Sequence, residues 1–263
     1  MRSPMKLRAP RLATAIATVA LLTGCSGDRA SAPSASATSA APTAAVSAEP
    51  LRAPRALVIV MDLSGSMRAI FEDASPVVAP RRPTRLDAMK NAVLDAVESE
   101  PEGGKIGVVV FGERTYTLLP TTTDRALVRK LVTKLGSGTI EDGGSAIAEG
   151  VAMASRILEE ETTLERTILL FADSENTGNG IQPAAAAEIA KKAHARVLAI
   201  HVGDGREADV VDHTTPDGEL VYAREKFPAN PEELKGIATV TGGAFLLAKT
   251  PAELLGATRT LLR

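Results

Sequence analysis

A chain of 263 residues with 44% apolar residues can close one sizeable core or two small ones, which excludes disorder along its whole length. With no Trp, five Phe and two Tyr, the core is aliphatic and no stacking platform for single-stranded nucleic acid is available. A formal net charge of −2 gives no electrostatic reason to bind a polyanion.

The chain opens on an export signal. Arg2, Lys6, Arg8 and Arg11 form a basic start, and Leu12 to Leu22 is an apolar run too short to span a bilayer stably. The run ends in Leu22-Thr23-Gly24-Cys25, which resembles the lipobox of bacterial lipoproteins. That resemblance implies a thioether lipid on Cys25, removal of residues 1–24 and attachment to a membrane through the lipid. Cys25 is the only cysteine, so an internal disulfide is excluded. Loss of the four basic residues takes the net charge from −2 to −6, which argues against nucleic acid and against charge-driven binding to an anionic membrane face. Residues 25–55 follow as a tether rich in Ala, Ser, Pro and Thr, in which Pro33, Pro42, Pro50 and Pro54 exclude a long helix.

From residue 56 to 263 a single domain is expected, because apolar strand-like runs now alternate with helical periodicity. Ala56 to Met61 is the first strand. A loop with Pro76, Pro80 and Pro83 leads to a helix from about Arg85, with Leu86, Met89, Val93 and Val97 at helical spacing. Lys105 to Phe111 is a second strand, and Thr115 to Leu119 follows too closely for a crossover, so it pairs antiparallel at an edge. Asp124 caps a helix running to Leu135. The Gly-rich loop Gly136 to Gly144 opens into a helix carrying Ile147, Val151, Ala154 and Leu158. Arg166 to Ala172 is a buried strand, Pro183 to Ala195 a helix bearing His194, and Arg196 to Val202 another strand. Gly203 to Ala229 is a polar excursion, loop or hairpin, before a helix over Pro231 to Val240, a strand over Ala244 to Leu247 and a closing helix from Pro251. The sum is an α/β fold: a doubly wound, mostly parallel six-stranded sheet with helices on both faces and one antiparallel edge strand.

Open sheets of this kind bind ligands at the carboxyl edge, where strand order reverses. Asp62 ends the first strand there, and Leu63-Ser64-Gly65-Ser66 sets two hydroxyls on one turn. By itself such a turn is more often a helix cap or a turn brace. Asp173 ends the Arg166 to Ala172 strand in the same way. If the two strands are neighbours, ~4.8 Å apart, their carboxylates converge and call for a cation between them. Ser145, opening a helix on the same edge, supplies a third hydroxyl, with Thr139 as a competing donor; Glu141 and Asp142 read as solvation or capping. Oxygen donors without His or Cys select Mg²⁺ first, with Mn²⁺ or Ca²⁺ as alternatives.

Asp62-x-Ser64-x-Ser66, a later hydroxyl and Asp173 resemble the metal-ion-dependent adhesion site (MIDAS) of von Willebrand factor A domains. The likeness extends over residues 56–263 and is nearest to the bacterial Bat aerotolerance type, in DLSGSM, IGVVVFGERTYTLLP, IEDGGSAIAEG and LLFADSENTGNGIQPAAAAEIAKKA. It implies direct metal contacts from Ser64, Ser66 and the third-loop hydroxyl, and contacts through water from Asp62 and Asp173. It further implies an open position filled by Asp or Glu of a protein partner, and a cell-envelope complex with other VWA proteins and an AAA-type ATPase. Placement is then on the bacterial envelope outside the cytoplasm, at the outer membrane or periplasmic face of a two-membrane cell. Two departures stand out: Ser145 replaces the usual Thr, and Ser174 replaces the Gly that usually follows Asp173.

Enzyme readings fare worse. A phosphohydrolase using Asp62 as nucleophile needs a second Asp two residues on, where Ser64 stands. No Gly-x-Ser-x-Gly occurs, Gly136-x-Gly138 lacks a third glycine, and His194, His201 and His213 form no motif. His201 reads as a satisfied core residue. A binding domain is therefore expected, with a structural lipoprotein carrying a degenerate, metal-free site as the alternative.

Overall fold

The computed structural model describes residues 52–71, 82–140, 143–173, 176–178, 180–227 and 229–263. The lipobox with Cys25, the Pro-rich loop through Pro76 and Pro80, and Glu141, Asp142 and Ser174 lie outside the described residues.

Six strands form one sheet in the order β3-β2-β1-β4-β5-β8, all parallel except the β2/β3 pair. They are β1 (Arg55–Asp62), β2 (Lys105–Phe111), β3 (Thr115–Thr122), β4 (Glu165–Ala172), β5 (Ala195–Val202) and β8 (Ala244–Ala248). β1 is buried along its full length because both faces of a parallel sheet are covered by helices. Its side chains alternate. Leu57, Ile59 and Met61 join the core under α1 (Arg85–Ser99), α2 (Arg125–Lys134) and α6 (Pro251–Leu261), whereas Ala56, Val58 and Val60 join the core under α3 (Ile147–Glu159), α4 (Pro183–Lys192) and α5 (Pro231–Val240).

Helix starts follow local chemistry. Thr84 and Asp87 make a reciprocal capping box at α1, Leu127 N–H donates to Asp124 at α2, and Pro183, Pro231 and Pro251 occupy first turns, where a missing N–H costs nothing. α4 ends at Lys192, short of the expected Ala195. His194, expected on that helix, adopts φ 54 and donates its N–H to the Lys191 carbonyl, a left-handed stop that frees Ala195 to begin β5.

Two further differences concern boundaries. β3 continues past Leu119 to Thr122, through Pro120, which an edge strand tolerates. The domain's contacts also begin inside the stretch read as tether: Arg52 donates to the carbonyls of Leu262 and Ser99, and Arg55 forms a buried pair with Glu100 at 3.0 Å. The excursion after β5 resolves into a separate antiparallel hairpin, β6 (Glu207–Thr214) and β7 (Leu220–Lys226).

Candidate metal centre

β1 and β4 are adjacent, with Met61 opposite Phe171, so the chain passes from one half of the sheet to the other between them. Asp62 and Asp173 leave the sheet at this switch point, 0% and 1% exposed. Ser64 N–H donates to Asp62 Oδ1 at 2.8 Å, closing an Asx-type turn, and the single 3₁₀ turn Gly65–Arg68 follows, anchored by buried Met67. This turn brings the two hydroxyls together, Ser64 Oγ to Ser66 Oγ at 3.0 Å, and Ser66 Oγ donates to Asp173 Oδ1 at 2.6 Å.

The third loop reaches the same point. Ser145 Oγ donates to Asp62 Oδ2 at 3.4 Å, and its backbone is clasped by Thr177, which accepts from Ser145 N–H at 2.8 Å and donates its own N–H to the Ser145 carbonyl at 2.9 Å. Thr139 is elsewhere: exposed, its hydroxyl donating to the Gly136 carbonyl at 2.7 Å in a local turn. Of the two hydroxyl candidates, only Ser145 approaches the Asp62 turn.

Two residues absent from the expected set matter here. Thr177 is one. The other is Arg85, 3% exposed, whose Nη1 donates to Asp173 Oδ2 at 2.7 Å. The guanidinium lies 5.2 Å from the centre of the Phe227 ring and against Gly203, where a Cβ would stand 2.9 Å from Arg85 Cζ. Its Nε has no partner among the described residues. A sequence signal exists for it: a cation in the first turn of α1 faces the positive end of the helix dipole, an unfavourable place unless something else holds it there.

Among the described residues Asp62 has no such counter-charge. Burial, and behind it the charge of Asp173, push its carboxyl up to about 8, against the hydrogen bonds it receives from Ser64 and the Asp173 backbone. Five oxygen-bearing side chains thus meet around a carboxyl that lacks compensation. Three of their separations, Ser64–Ser66 at 3.0 Å, Ser66–Asp173 at 2.6 Å and Ser145–Asp62 at 3.4 Å, bracket the octahedral edge of about 2.9 Å that Mg–O bonds of about 2.0–2.1 Å require. The donor set fits a hard divalent cation. Among the described residues no three His, Cys, Asp or Glu gather, so a cation at this centre would have to draw on the hydroxyls beside the two carboxyls. His201 is fully buried at the end of β5, its Nδ1 3.0 Å from the Gly203 carbonyl oxygen, and burial pulls it below the usual range; its Nε2 has no partner among the described residues, so it is only half satisfied.

Residues 57–179, from β1 to the loop after β4, match the family model of the von Willebrand factor type A domain. The chain carries a VWA domain. An aerotolerance-related membrane protein of Bacteroides fragilis shares the fold, with a TM-score of 0.61 and 22% identity over 79% of this chain and 98% of its own. A mussel byssus proximal thread matrix protein, solved with a zinc-occupied MIDAS motif, aligns with a TM-score of 0.56 and 17% identity over 80% of this chain and 47% of its own. An uncharacterized protein of Borreliella burgdorferi is 28% identical over 191 residues, 72% of this chain. The chain spans about half of that relative's length, 52%.

Above the VWA domain's serine turn lies an open groove of about 550 Å³, with Ser64, Ser66, Ser145 and Thr177 at its base and Val210, Val211, Asp212, Glu225 and Phe227 of the β6/β7 segment as its wall. The hairpin is fixed there by three contacts: Ile70 N–H donates to the Asp209 carbonyl at 2.8 Å, Arg82 pairs with Asp209 at 2.8 Å, and Arg82 stacks over Tyr222 at 5.1 Å. Among the described residues no helix is long and apolar enough to cross a membrane.

Proposed function

We propose that this VWA domain is a binding module of the bacterial cell envelope, not an enzyme, held to its membrane by a lipid on Cys25. It binds one divalent cation, Mg²⁺ first and Mn²⁺ or Ca²⁺ in its place, and uses it to engage an Asp or Glu of a partner protein. Ser64, Ser66 and Ser145 would hold the cation through their hydroxyls, with Asp62 and Asp173 behind them. Neutral hydroxyls quench little of the ion's charge, so the bound ion offers an electrophilic open position to a carboxylate. The chain's own part is to orient these oxygens from the ends of two rigid strands and to keep bulk water from the carboxyls. The observation that carries this reading is the fully buried Asp62, uncompensated and ringed by hydroxyls at the sheet's switch point.

Support from likeness is of two kinds. The Bacteroides structure with the same fold is an aerotolerance-related membrane protein, which favours the envelope. The mussel structure holds a metal in a MIDAS, which favours a cation at the corresponding turn.

The Arg85–Asp173 pair favours a second reading, a site complete without metal, because it already neutralises one of the two carboxylates. Melting the full chain with Mg²⁺ or Mn²⁺, beside Asp62→Ala and Asp173→Ala, separates the two. A metal-dependent rise in Tm in the wild type that both variants lose is expected; no rise in the wild type leaves only the structural reading. Capture from envelope extracts with and without chelator then tests the partner, whose release by chelator is expected.

A further inference from the structure

We propose that Arg85 is a resident counter-cation of this centre: it holds Asp173 in place without a metal, stays paired when one binds, and keeps metal affinity low. Occupancy then depends on a carboxylate supplied from outside the chain. This rests on the metal reading above and adds to it a residue that sets how readily the site fills.

The pair is confined on every side the described residues show. Asp173 spends Oδ2 on Arg85 at 2.7 Å and Oδ1 on the Ser66 hydroxyl at 2.6 Å, so both of its oxygens are committed within the chain. The side chains of Arg85 and Asp173 are 4% and 0% exposed. Phe227 packs over the guanidinium, and Gly203, at φ +94, leaves the space the guanidinium occupies. Without a metal, a swing of Arg85 out to solvent would leave a buried carboxylate unpaired, which is strongly unfavourable. On this proposal Arg85 also stays when a cation arrives, because Phe227 and Gly203 close on the guanidinium from the chain's own side.

Its charge then counts against the cation. A divalent ion among these oxygens meets two carboxyls and one guanidinium, a net charge of one negative where a bare pair would offer two. In a dry pocket such a difference is large: at the effective dielectric of protein interiors, even a partial cancellation changes affinity by about tenfold or more. A carboxylate at the open position restores the missing negative charge, so metal and external acid favour each other. The arrangement is also costly to keep, since Arg85 sits at the positive end of α1 and buries an Nε that has no partner among the described residues. A purely structural pair would be expected to avoid both penalties.

The test uses the full chain, titrated calorimetrically with Mn²⁺ and melted with and without Mn²⁺, each in the presence and absence of excess acetate as the carboxylate probe. Arg85→Gln removes the charge and keeps hydrogen-bonding capacity; Arg85→Lys keeps the charge; Arg85→Met removes the charge, keeps an apolar stem against Phe227 and serves if Arg85→Gln does not fold. The expected result is that acetate tightens Mn²⁺ binding to the wild type, and that Arg85→Gln binds Mn²⁺ about tenfold or more tightly without acetate and gains less from it. Metal-free Arg85→Gln melts lower than the wild type yet shows the larger Mn²⁺-induced rise, which a merely structural role would not produce. Arg85→Lys keeps wild-type affinity. If the wild type binds Mn²⁺ and Arg85→Gln binds it equally or more weakly, the role of Arg85 is overturned and the metal reading stands. If neither responds to Mn²⁺ with acetate present, both fall.

Discussion

Among the described residues two arginine–carboxylate pairs are buried, at opposite ends of the central strand, and they differ in what surrounds them. At the start of β1, Arg55 meets Glu100 at 3.0 Å and also donates to the Leu262 carbonyl, tying the strand to the ends of α1 and α6. At its far end, Arg85 meets Asp173 at 2.7 Å beside a second buried carboxyl, Asp62, and three hydroxyls. The first pair is balanced and the second has one acid too many. Burial of an ion pair is thus no mark of function by itself; the surplus next to it is.

The largest effect should come from unbalancing the balanced pair. Glu100→Ala leaves Arg55 buried without its carboxylate, and a loss of about 3–5 kcal/mol in unfolding free energy by denaturant titration is expected, with metal response untouched. A change in metal response on that substitution would dissolve the distinction between the two ends.

Next comes the surplus acid. Since the folded, metal-free chain holds a proton on Asp62 up to about 8, where the unfolded chain releases it near 3.8, stability is highest at low pH within that window and falls as pH rises through it. Unfolding free energies from denaturant titration at pH 5 and pH 8.5 should differ by about a few kcal/mol, and Asp62→Asn should flatten the slope. On the proposed reading a bound Mn²⁺ would displace that proton, so its affinity should climb with pH across the same window. A flat affinity profile would deny Asp62 its part in the site.

The smallest effect separates the two third-loop candidates. Ser145→Ala should weaken Mn²⁺ binding by about tenfold with little change in stability, while Thr139→Ala should alter metal affinity by less than about twofold. Calorimetric titration of the two variants side by side decides between the hydroxyls.

What could be read beforehand follows from how strongly each residue's surroundings constrain its type. The central strands β1, β2, β4 and β5 are unbroken apolar runs because both sheet faces are covered, and their limits lay within a residue or two of the observed ones. β3 runs past the expected Leu119 to Thr122, because an edge strand tolerates Pro120. Gly203 to Ala229 is compatible with a loop or a hairpin because only Val210 of β6 is buried and no residue of β7 is, so the residues carry no clear alternation. At the site, Asp62, Ser64, Ser66 and Asp173 were visible because strand ends and a short turn fix them locally. Arg85 was not, because its partner lies 88 residues away and its own neighbourhood looks like an ordinary helix start. The structure brings Ser145 toward Asp62 through Thr177, a clasp between two loops that no local pattern announces.

The placement of β1 has a mechanical consequence. The chain enters the domain at Arg55, on the edge opposite Asp62, and β1 runs straight between them with β2 and β4 registered along both sides. A pull between a partner held at the serine turn and whatever precedes residue 52 would therefore run along the covalent backbone of β1 itself, with the ladder bonds to β2 and β4 lying across the line of force. Such a load stretches one strand from end to end and asks no strand to slide past another.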